Sequence, residues 1–486
     1  MKKMLLSLWM LTAAAVGLWS QLGIIDPNFD PGTGFGPDSW TGKCEVVVQQ
    51  PDGKLLIGGQ FTTYNDESSP YLVRLNLDGS RDESFTSPFE QSWGYYVETI
   101  ALQPDGKILI GGYFDEIAGV TVGNIARINS DGSFDASFDP GSGFNHGLKT
   151  IAVQADGKVL VAGGFTIYDY YWNGSQTPVN GFVRLNADGS LDNSFDASLA
   201  FADTTDFVSV HVGPILIQPD GKILAGGRYS IAGIGSHNFI ARFLSDGSLD
   251  TSFDAGNHPG NSTDMYNGMV NDLALLPDGK IYVSGNYVGI ISGLDRLNAD
   301  GSLDASFSVG LSINDHRSYP IAVQPDGKIL AARVNFGAPN EAMILERFLS
   351  DGTLDSSFPS TFFSSDVTDI LVQADGNITL VGYFSYNPTG IMRLVGDSPL
   401  QTDTYSGFGE NVRIFPNPAK DQLNLMHVPH GSQVSLLDLA GRNLYTSGTI
   451  YQETLSVSLS DFNPGIYLIR IENSNRSVTR KLVVGK

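Results

Sequence analysis

The amino-acid sequence predicts an all-β chain, in which a seven-bladed β-propeller is followed by a small immunoglobulin-like β-sandwich. A QPDGK-like string occurs seven times, with its Asp at positions 52, 105, 156, 220, 278, 326 and 375. A second motif, R-[LIF]-x-x-DG-[ST]-x-D-x-SF, follows six of these copies. Tandem units of about 50 residues with four short strands each are typical of propeller blades. After residue 395 the composition changes, which indicates a separate C-terminal domain.

The second unit shows how one repeat is predicted to fold. Residues 99–103, 107–114, 124–129 and 133–138 are short segments rich in apolar residues. Pro-Asp-Gly and Ser-Asp-Gly strings between them supply the residues that tight hairpin turns need. We therefore expect four antiparallel strands per unit. A glycine pair in the second strand is expected to let backbones approach closely near the propeller axis.

The two ends of the repeat region predict how the ring closes. The seventh unit stops after residues 390–395 and lacks a segment for its fourth strand. Residues 25–35 match residues 134–144, which contain the fourth strand of the second unit. We therefore predict that residues near 24–30 pair with residues near 389–395. Such pairing removes two open sheet edges that would otherwise invite aggregation.

On these motifs, residues 22–395 resemble the delta-60 repeat β-propellers of exported bacterial proteins. The resemblance implies the propeller fold alone. It brings no catalytic residues that can be carried over to this sequence.

A polar linker is predicted at residues 396–410, and a β-sandwich with seven short strands at residues 411–486. This domain resembles the type A C-terminal sorting domain of the type IX secretion system. The resemblance rests on Pro416, Asn417, Pro418, Gly441, Arg442, Gly465, Tyr467 and Lys481. It implies contact with the secretion machinery, removal of the domain, release or attachment at the cell surface, and a Bacteroidota source. An immunoglobulin-like binding module is the alternative.

The first 20 residues predict a signal peptide. Lys2 and Lys3 precede an apolar segment that runs to about Trp19, and Ser20 offers a small residue for cleavage. A membrane anchor is the alternative, but the apolar segment is short and no stop signal flanks it. The predicted destination is therefore outside the cell or on its surface, after cleavage.

Charge and cysteine content limit the possible partners. The net charge of −23 argues against nucleic acid and against anionic membrane surfaces. Cys44 is the sole cysteine, so no intramolecular disulfide forms, and we expect it to be a core residue. The propeller is expected to be monomeric.

Candidate ligand-binding residues lie in the predicted loops between strands two and three and between units, which we expect to share one face. That face is opposite to the face with the Pro-Asp-Gly turns, and its loops vary in length. Exposed aromatic rings there can stack on sugars or on a partner protein, or can simply pack the loops. The candidates are Trp93, Tyr95, Tyr96, Tyr170, Tyr171, Trp172, His146, His211, His258 and His316. The histidines suit a metal by residue type, but no HxH or HExxH spacing supports one.

The Asn-x-Asp-Gly-Ser-x-Asp strings, such as Asn76, Asp78 and Asp82, resemble calcium loops but lack the downstream Glu of an EF-hand. Capping of the hairpin turn by Asp explains the same spacing. Apart from this possibility of calcium, no cofactor is predicted, and no Ser-His-Asp or GxSxG arrangement occurs. The sequence therefore favours a scaffold that binds a glycan or a protein over an enzyme. A polysaccharide-active enzyme with its site at the channel mouth, or a structural surface protein, are the alternatives.

Overall fold

The structure is a computed structural model that divides the chain into two units, residues 1–397 and 398–486. In the first unit it describes residues 23–36, 42–168, 177–197, 211–229, 240–255, 269–286, 293–309, 318–334, 343–363, 366–384 and 390–396. In the second it describes residues 412–415, 419–420, 422–426, 428, 431–437, 442–450, 454–460, 462–463, 465–473 and 476–484. Within these ranges the regular structure is all β, which confirms the predicted fold class. The predicted signal peptide lies outside them. Across the described residues, no helix has the length and apolarity to cross a membrane.

Seven antiparallel sheets of three or four long strands make up most of the described residues of the first unit, and we number them 1 to 7 along the chain. The first strands are Lys43–Gln49, Tyr96–Leu102, Leu148–Val153, His211–Ile217, Met269–Leu275, Ser318–Val323 and Val367–Val372. The second strands are Leu55–Gln60, Ile108–Tyr113, Val159–Gly163, Ile223–Arg228, Ile281–Asn286, Ile329–Val334 and Ile378–Gly382. The third strands are Leu72–Leu75, Ile125–Ile128, Phe182–Leu185, Ile240–Phe243, Leu294–Leu297, Met343–Phe348 and Ile391–Leu394. In each sheet the second strand lies between the other two.

The predicted fourth strand is wrong for most units. In sheet 2 the residues expected to form it make one isolated bridge, between Ile128 and Phe134. The chain then curls, because the Asp135 amide donates to the Arg127 carbonyl and the Phe138 amide donates to the Asp135 carbonyl. The apolar pattern of this segment therefore reflects a turn in which Phe138 is buried and Phe134 is partly buried. In sheet 6 a fourth strand does form beside the third, but at Thr361–Phe363, which lies after the segment predicted for it.

The loops between second and third strands, and the loop before sheet 1, contain additional strands of two residues each. They are Phe35–Gly36, Thr63–Tyr64, Glu67–Ser68, Glu116–Ile117, Val120–Thr121, Ile167–Tyr168 and Thr177–Pro178.

The first strands line the inside of a closed ring. Each contacts the first strand of the next sheet, and the first strand of sheet 7 contacts that of sheet 1. The glycine pair of the second strand allows this packing. A Cβ on Gly58 would lie 2.6 Å from Val97 of sheet 2, and a Cβ on Gly59 would collide with the Lys43 carbonyl. The predicted close approach is thus confirmed, and the neighbouring sheet supplies part of it.

The N-terminal segment closes the ring, as predicted. Ile25 bridges Leu394, and the Asp26 amide donates to the Arg393 carbonyl at 2.9 Å. The Val395 amide donates in turn to the Ile24 carbonyl at 2.8 Å. The first described residues therefore serve as the outer segment of sheet 7.

A repeated contact, which we call the latch, joins neighbouring sheets. In sheet 2, Arg127 Nε donates to Asp135 Oδ2 at 2.6 Å, and its guanidinium lies 5.0 Å from the centre of the Phe138 ring. Its Nη1 donates to the Ala187 carbonyl in the turn of sheet 3, and Lys107 Nζ lies 2.7 Å from the same Asp135 oxygen. Arg127, Asp135 and Phe138 belong to the second repeated motif and Lys107 to the QPDGK-like string, although these motifs predicted turns alone. Equivalent Arg–Asp pairs are Arg74–Asp82, Arg184–Asp192, Arg242–Asp250, Arg296–Asp304, Arg347–Asp355 and Arg393–Asp26.

Side chains also tie first strands together across the inner ring. Asp272 Oδ2 accepts the Ile321 amide of sheet 6 at 2.9 Å, and Asp369 Oδ2 accepts the Val47 amide of sheet 1 at 2.9 Å. Each of these acceptors follows a bulge in its own strand, and a bulge changes the direction of the side chains beside it.

One buried carboxyl has no such role. Asp295 stands in the third strand of sheet 5, where sheets 1 and 3 carry Val73 and Val183. It is 9% exposed, and its Oδ2 has no hydrogen-bond partner within the described structure. Burial raises the pKa of Asp295 to about 7.

Replacing this carboxyl should therefore stabilise the propeller, and more so at high pH. Since the native pKa of Asp295 lies above the unfolded value of about 4, the free energy of unfolding falls as pH rises from about 4 to about 7. We expect Asp295→Val to raise this free energy by about 2–4 kcal/mol at pH 8 and by less at pH 5. Urea denaturation at both pH values measures the effect. Asp295→Asn should remove the pH dependence while keeping the cost of a buried polar group, and an equal gain at both pH values for Asp295→Val would contradict the assignment.

The second unit is a β-sandwich, as predicted. One sheet contains Arg413–Phe415, Gln422–Met426 and Thr454–Ser458, and the other contains Gln433–Leu437, Asn443–Thr446, Gly465–Asn473 and Arg476–Val484. Both sheets contribute to one apolar core, in which Leu423 and Leu425 from the first pack with Leu436, Ile469 and Leu482 from the second.

Candidate functional site

The two faces of the propeller unit differ as expected. Lys54 follows the Pro-Asp-Gly turn of sheet 1, and its ammonium lies 2.7 Å from Asp82, which follows the Asp-Gly-Ser turn. Both kinds of turn therefore lie on one face. First strands begin and second strands end on the opposite face, which we call the variable face.

Three aromatic residues that are exposed or partly exposed, Trp93, Tyr96 and Tyr113, lie on the variable face at sheet 2, and we call them together the aromatic platform. Trp93 is 99% exposed. Tyr96 starts the first strand and pairs with Tyr113 at the end of the second. Their rings stack with centroids 6.0 Å apart and planes 18° apart, and Tyr113 is 46% exposed. Tyr113 was not among the candidates, because its contact with Tyr96 depends on strand register.

The other aromatic candidates behave differently or lie outside the described residues. Tyr95 packs against Tyr71, with ring centroids 6.0 Å apart, and joins the core between sheets 1 and 2. Tyr95 therefore agrees with the alternative interpretation, in which the aromatic rings pack the loops instead of binding a ligand. Tyr170, Tyr171 and Trp172 lie outside the described residues.

The histidine candidates are dispersed. His146 is exposed and precedes the first strand of sheet 3. His211 begins the first strand of sheet 4, rather than standing in a loop, and pairs with Arg228. His258 and His316 lie outside the described residues. In the parts of the chain that the structure describes, no group of three or more His, Cys, Asp or Glu side chains is placed to hold a metal ion.

Charged side chains that the sequence reasoning missed lie at the same ends of the first strands. Lys43 Nζ lies 2.8 Å from Glu45 in sheet 1, and Lys149 of sheet 3 forms an ion pair with Glu98 of sheet 2. A sequence signal existed, because charges interrupt otherwise apolar first strands. The residues facing each other come from different units, however, so their proximity follows only from the ring.

Burial and neighbouring charges shift the pKa values of Glu98, Tyr96 and His211 at this end of the first strands. Burial raises the pKa of Glu98, against the opposing effect of the Lys149 charge. Burial, with Glu98 and Glu45 nearby, raises the pKa of Tyr96 to about 12. Burial, with Lys149 and Arg228 nearby, lowers the pKa of His211 to about 4. Near neutral pH, Tyr96 is therefore a hydroxyl donor and His211 a neutral imidazole.

The strings that resemble calcium loops use their oxygens within the turn. Asp78 Oδ1 accepts the amide of Ser80 at 3.0 Å and its hydroxyl at 2.7 Å. Asp82 binds Arg74 and Lys54 in the latch. The turn-capping interpretation is confirmed for these residues.

Half of the predicted sorting-motif residues fall in described parts of the second unit. Arg442 precedes the strand Asn443–Thr446, and Gly465 opens the next-to-last strand. The Tyr467 hydroxyl donates to the Asn463 carbonyl at 2.8 Å, while Lys481 pairs with Leu468 in the last strand. Pro416, Asn417, Pro418 and Gly441 lie outside the described residues.

Comparison with protein families confirms both predicted resemblances. Six segments match the family described as "Domain of unknown function (DUF5122) beta-propeller", at residues 50–85, 103–138, 154–195, 218–253, 276–307 and 324–358. Residues 413–485 match the secretion system C-terminal sorting domain. The sorting domain indicates that the protein is secreted or displayed on the cell surface through the type IX secretion system.

Similarity to individual proteins is low. An endo-acting ulvan lyase of Formosa agariphila is 25% identical over 116 residues, which span 23% of this chain and 22% of that enzyme. The extracellular domain of a one-component system from B. thetaiotaomicron is 11% identical, with a TM-score of 0.43, over 96% of this chain and 59% of that one. A surface component of the type IX secretion system of Porphyromonas gingivalis is 13% identical, with a TM-score of 0.30, over 91% of this chain and 74% of that one.

Proposed function

We propose that this secreted or surface-displayed protein is a seven-bladed propeller that binds a glycan on its variable face, at the platform of Trp93, Tyr96 and Tyr113. The observation that carries the proposal is the complete exposure of Trp93, three residues before the first member of a stacked tyrosine pair. The seven sheets joined in a ring support the blade number. A relative named for its action on a polysaccharide is consistent with a glycan ligand.

The platform has the properties that a sugar-binding surface needs. Aromatic rings bury a large apolar area at low entropic cost, and a tyrosine hydroxyl adds a hydrogen bond at the rim. Tyr96 keeps its hydroxyl proton at neutral pH like an ordinary tyrosine, and its pKa, raised to about 12, extends this to more alkaline pH. Glu98 and Lys149 lie beyond it on neighbouring first strands and offer polar groups to sugar hydroxyls. Trp93 makes no contribution to the core, so packing does not explain the presence of this residue.

Substitution of Trp93 tests this function. The purified protein is screened on a glycan array, and the affinity for the strongest ligand is measured by calorimetry. We expect Trp93→Ala to weaken binding by about 30-fold, or about 2 kcal/mol, as is typical of a central aromatic anchor. Leu303→Ala is the matched control, because Leu303 is a 44% exposed apolar residue that follows the turn of sheet 5 on the opposite face. Equal affinity of the Trp93 variant and the native protein, or no glycan binding at all, would refute the proposal.

A further inference from the structure

His211 and Arg228 lie on the variable face where sheets 3 and 4 adjoin, and Lys149 lies on the neighbouring first strand. His211 and Arg228 stand opposite each other on the first and second strands of sheet 4. A Cβ on Gly164, just after the second strand of sheet 3, would lie 3.3 Å from His211 Nδ1, so the imidazole reaches over the neighbouring sheet. Lys149 belongs to the first strand of sheet 3, which contacts that of sheet 4.

Within the described part of the chain, one carboxylate, that of Glu98, pairs with these side chains. Arg228 Nε is buried and has no hydrogen-bond partner in the described structure. Lys149 is bound to Glu98, and its side chain remains 40% exposed. Burial, together with the charges of Lys149 and Arg228, lowers the pKa of His211, so that the imidazole is neutral. The site thus contains an unused N–H donor and a positive potential, on a protein whose net charge is −23. An anion is therefore attracted only at short range from these cations, because the net negative charge of the molecule repels it at longer range.

We propose that Lys149, His211 and Arg228 form a subsite for the carboxylate or sulfate group of an acidic sugar. The guanidinium fork matches the paired oxygens of either group, and the unpartnered Nε supplies one of its donors. Lys149 adds a second charge, and His211 donates from an imidazole nitrogen. This inference rests on the proposed glycan binding and extends it, because the subsite lies one sheet beyond the aromatic platform.

Small anions test the subsite apart from the rest of a glycan. The probes are glucuronate and glucose 6-sulfate, with glucose as the neutral control, and the readout is the His211 imidazole signal in NMR spectra of the full chain, identified with His211→Gln. We expect both anions, and not glucose, to shift this signal saturably and to raise the pKa of His211, because an adjacent negative charge favours the imidazolium. Comparison of the two anions shows which group the subsite prefers.

Arg228→Gln should abolish the saturable shift. Lys43→Gln is the matched control, since it removes the same charge from sheet 1 on the same face and should leave the shift intact. Lack of any shift in the native protein, or equal shifts with Arg228→Gln, would overturn the subsite. The result is independent of the platform: Trp93→Ala should keep the anion response even though it loses glycan affinity. An anion response without glycan binding would refute the proposed function alone.

Discussion

Removal of residues 22–31 is expected to lower the melting temperature of the propeller on the order of 10 °C. The deletion takes away the backbone pairing with residues 393–395 and leaves the buried guanidinium of Arg393 without Asp26, which lies 2.7 Å from it. Loss of one partner of a buried ion pair costs about 3–5 kcal/mol, and loss of the buried Phe29 ring adds about 1.5–3 kcal/mol.

Calorimetry, with hydrogen exchange at the amides of Arg393 to Val395, measures this effect. Ile25→Ala is the control within the same segment, because Ile25 is 61% exposed and its backbone still pairs. That variant should change the free energy of unfolding by less than about 1 kcal/mol. An unaltered melting curve for the deletion would show that the N-terminal segment does not close the ring.

Arg393→Met should destabilise the protein more than Arg127→Met, although both break a latch. Asp135, the partner of Arg127, keeps Lys107 Nζ at 2.7 Å after the substitution. Sheet 7 has Asn377 where the other sheets have this lysine, so Asp26 would remain buried without a cation. We expect a cost of about 3–5 kcal/mol for Arg393→Met and roughly 1–2 kcal/mol less for Arg127→Met.

Urea denaturation of the two variants provides the comparison. Adding Asn377→Lys to Arg393→Met should recover part of the loss, since it restores the cation found in the other latches. Equal destabilisation of the two single variants, with no recovery in the double variant, would mean that the lysine contributes nothing to the latch.

The prediction of the fold succeeded where residues recur. Ring closure was predictable because residues 25–35 resemble residues 134–144, with the Phe-Asp-Pro-Gly and Gly-Phe strings in common, and the pairing follows from that resemblance. The fourth strand was overpredicted because alternating Phe134 and Phe138 are typical of a strand. Asp135, which lies between them, instead accepts a hydrogen bond from Arg127 with its side chain. Its carbonyl accepts the Phe138 amide, so the chain forms a turn.

The candidate site was less predictable, because its contacts join different units. Glu98 and Lys149 are 51 residues apart and meet only once neighbouring sheets are assembled. Trp93 and Tyr96 could be chosen by residue type and loop position, whereas Tyr95, chosen on the same grounds, turns inward onto Tyr71. Composition identifies a loop rich in aromatic residues, but the direction of each ring depends on the backbone that carries it.

The pairing of Asp26 with Arg393 joins residues 367 positions apart. A chain synthesised from its N-terminus therefore holds the partner of its last sheet from the start, but cannot use it until the whole repeat region has emerged. Any product truncated before residue 393 exposes a free edge and an unpaired Asp26. We therefore expect incomplete copies to be cleaved by proteases faster than complete ones, because their sheet edges stay unpaired.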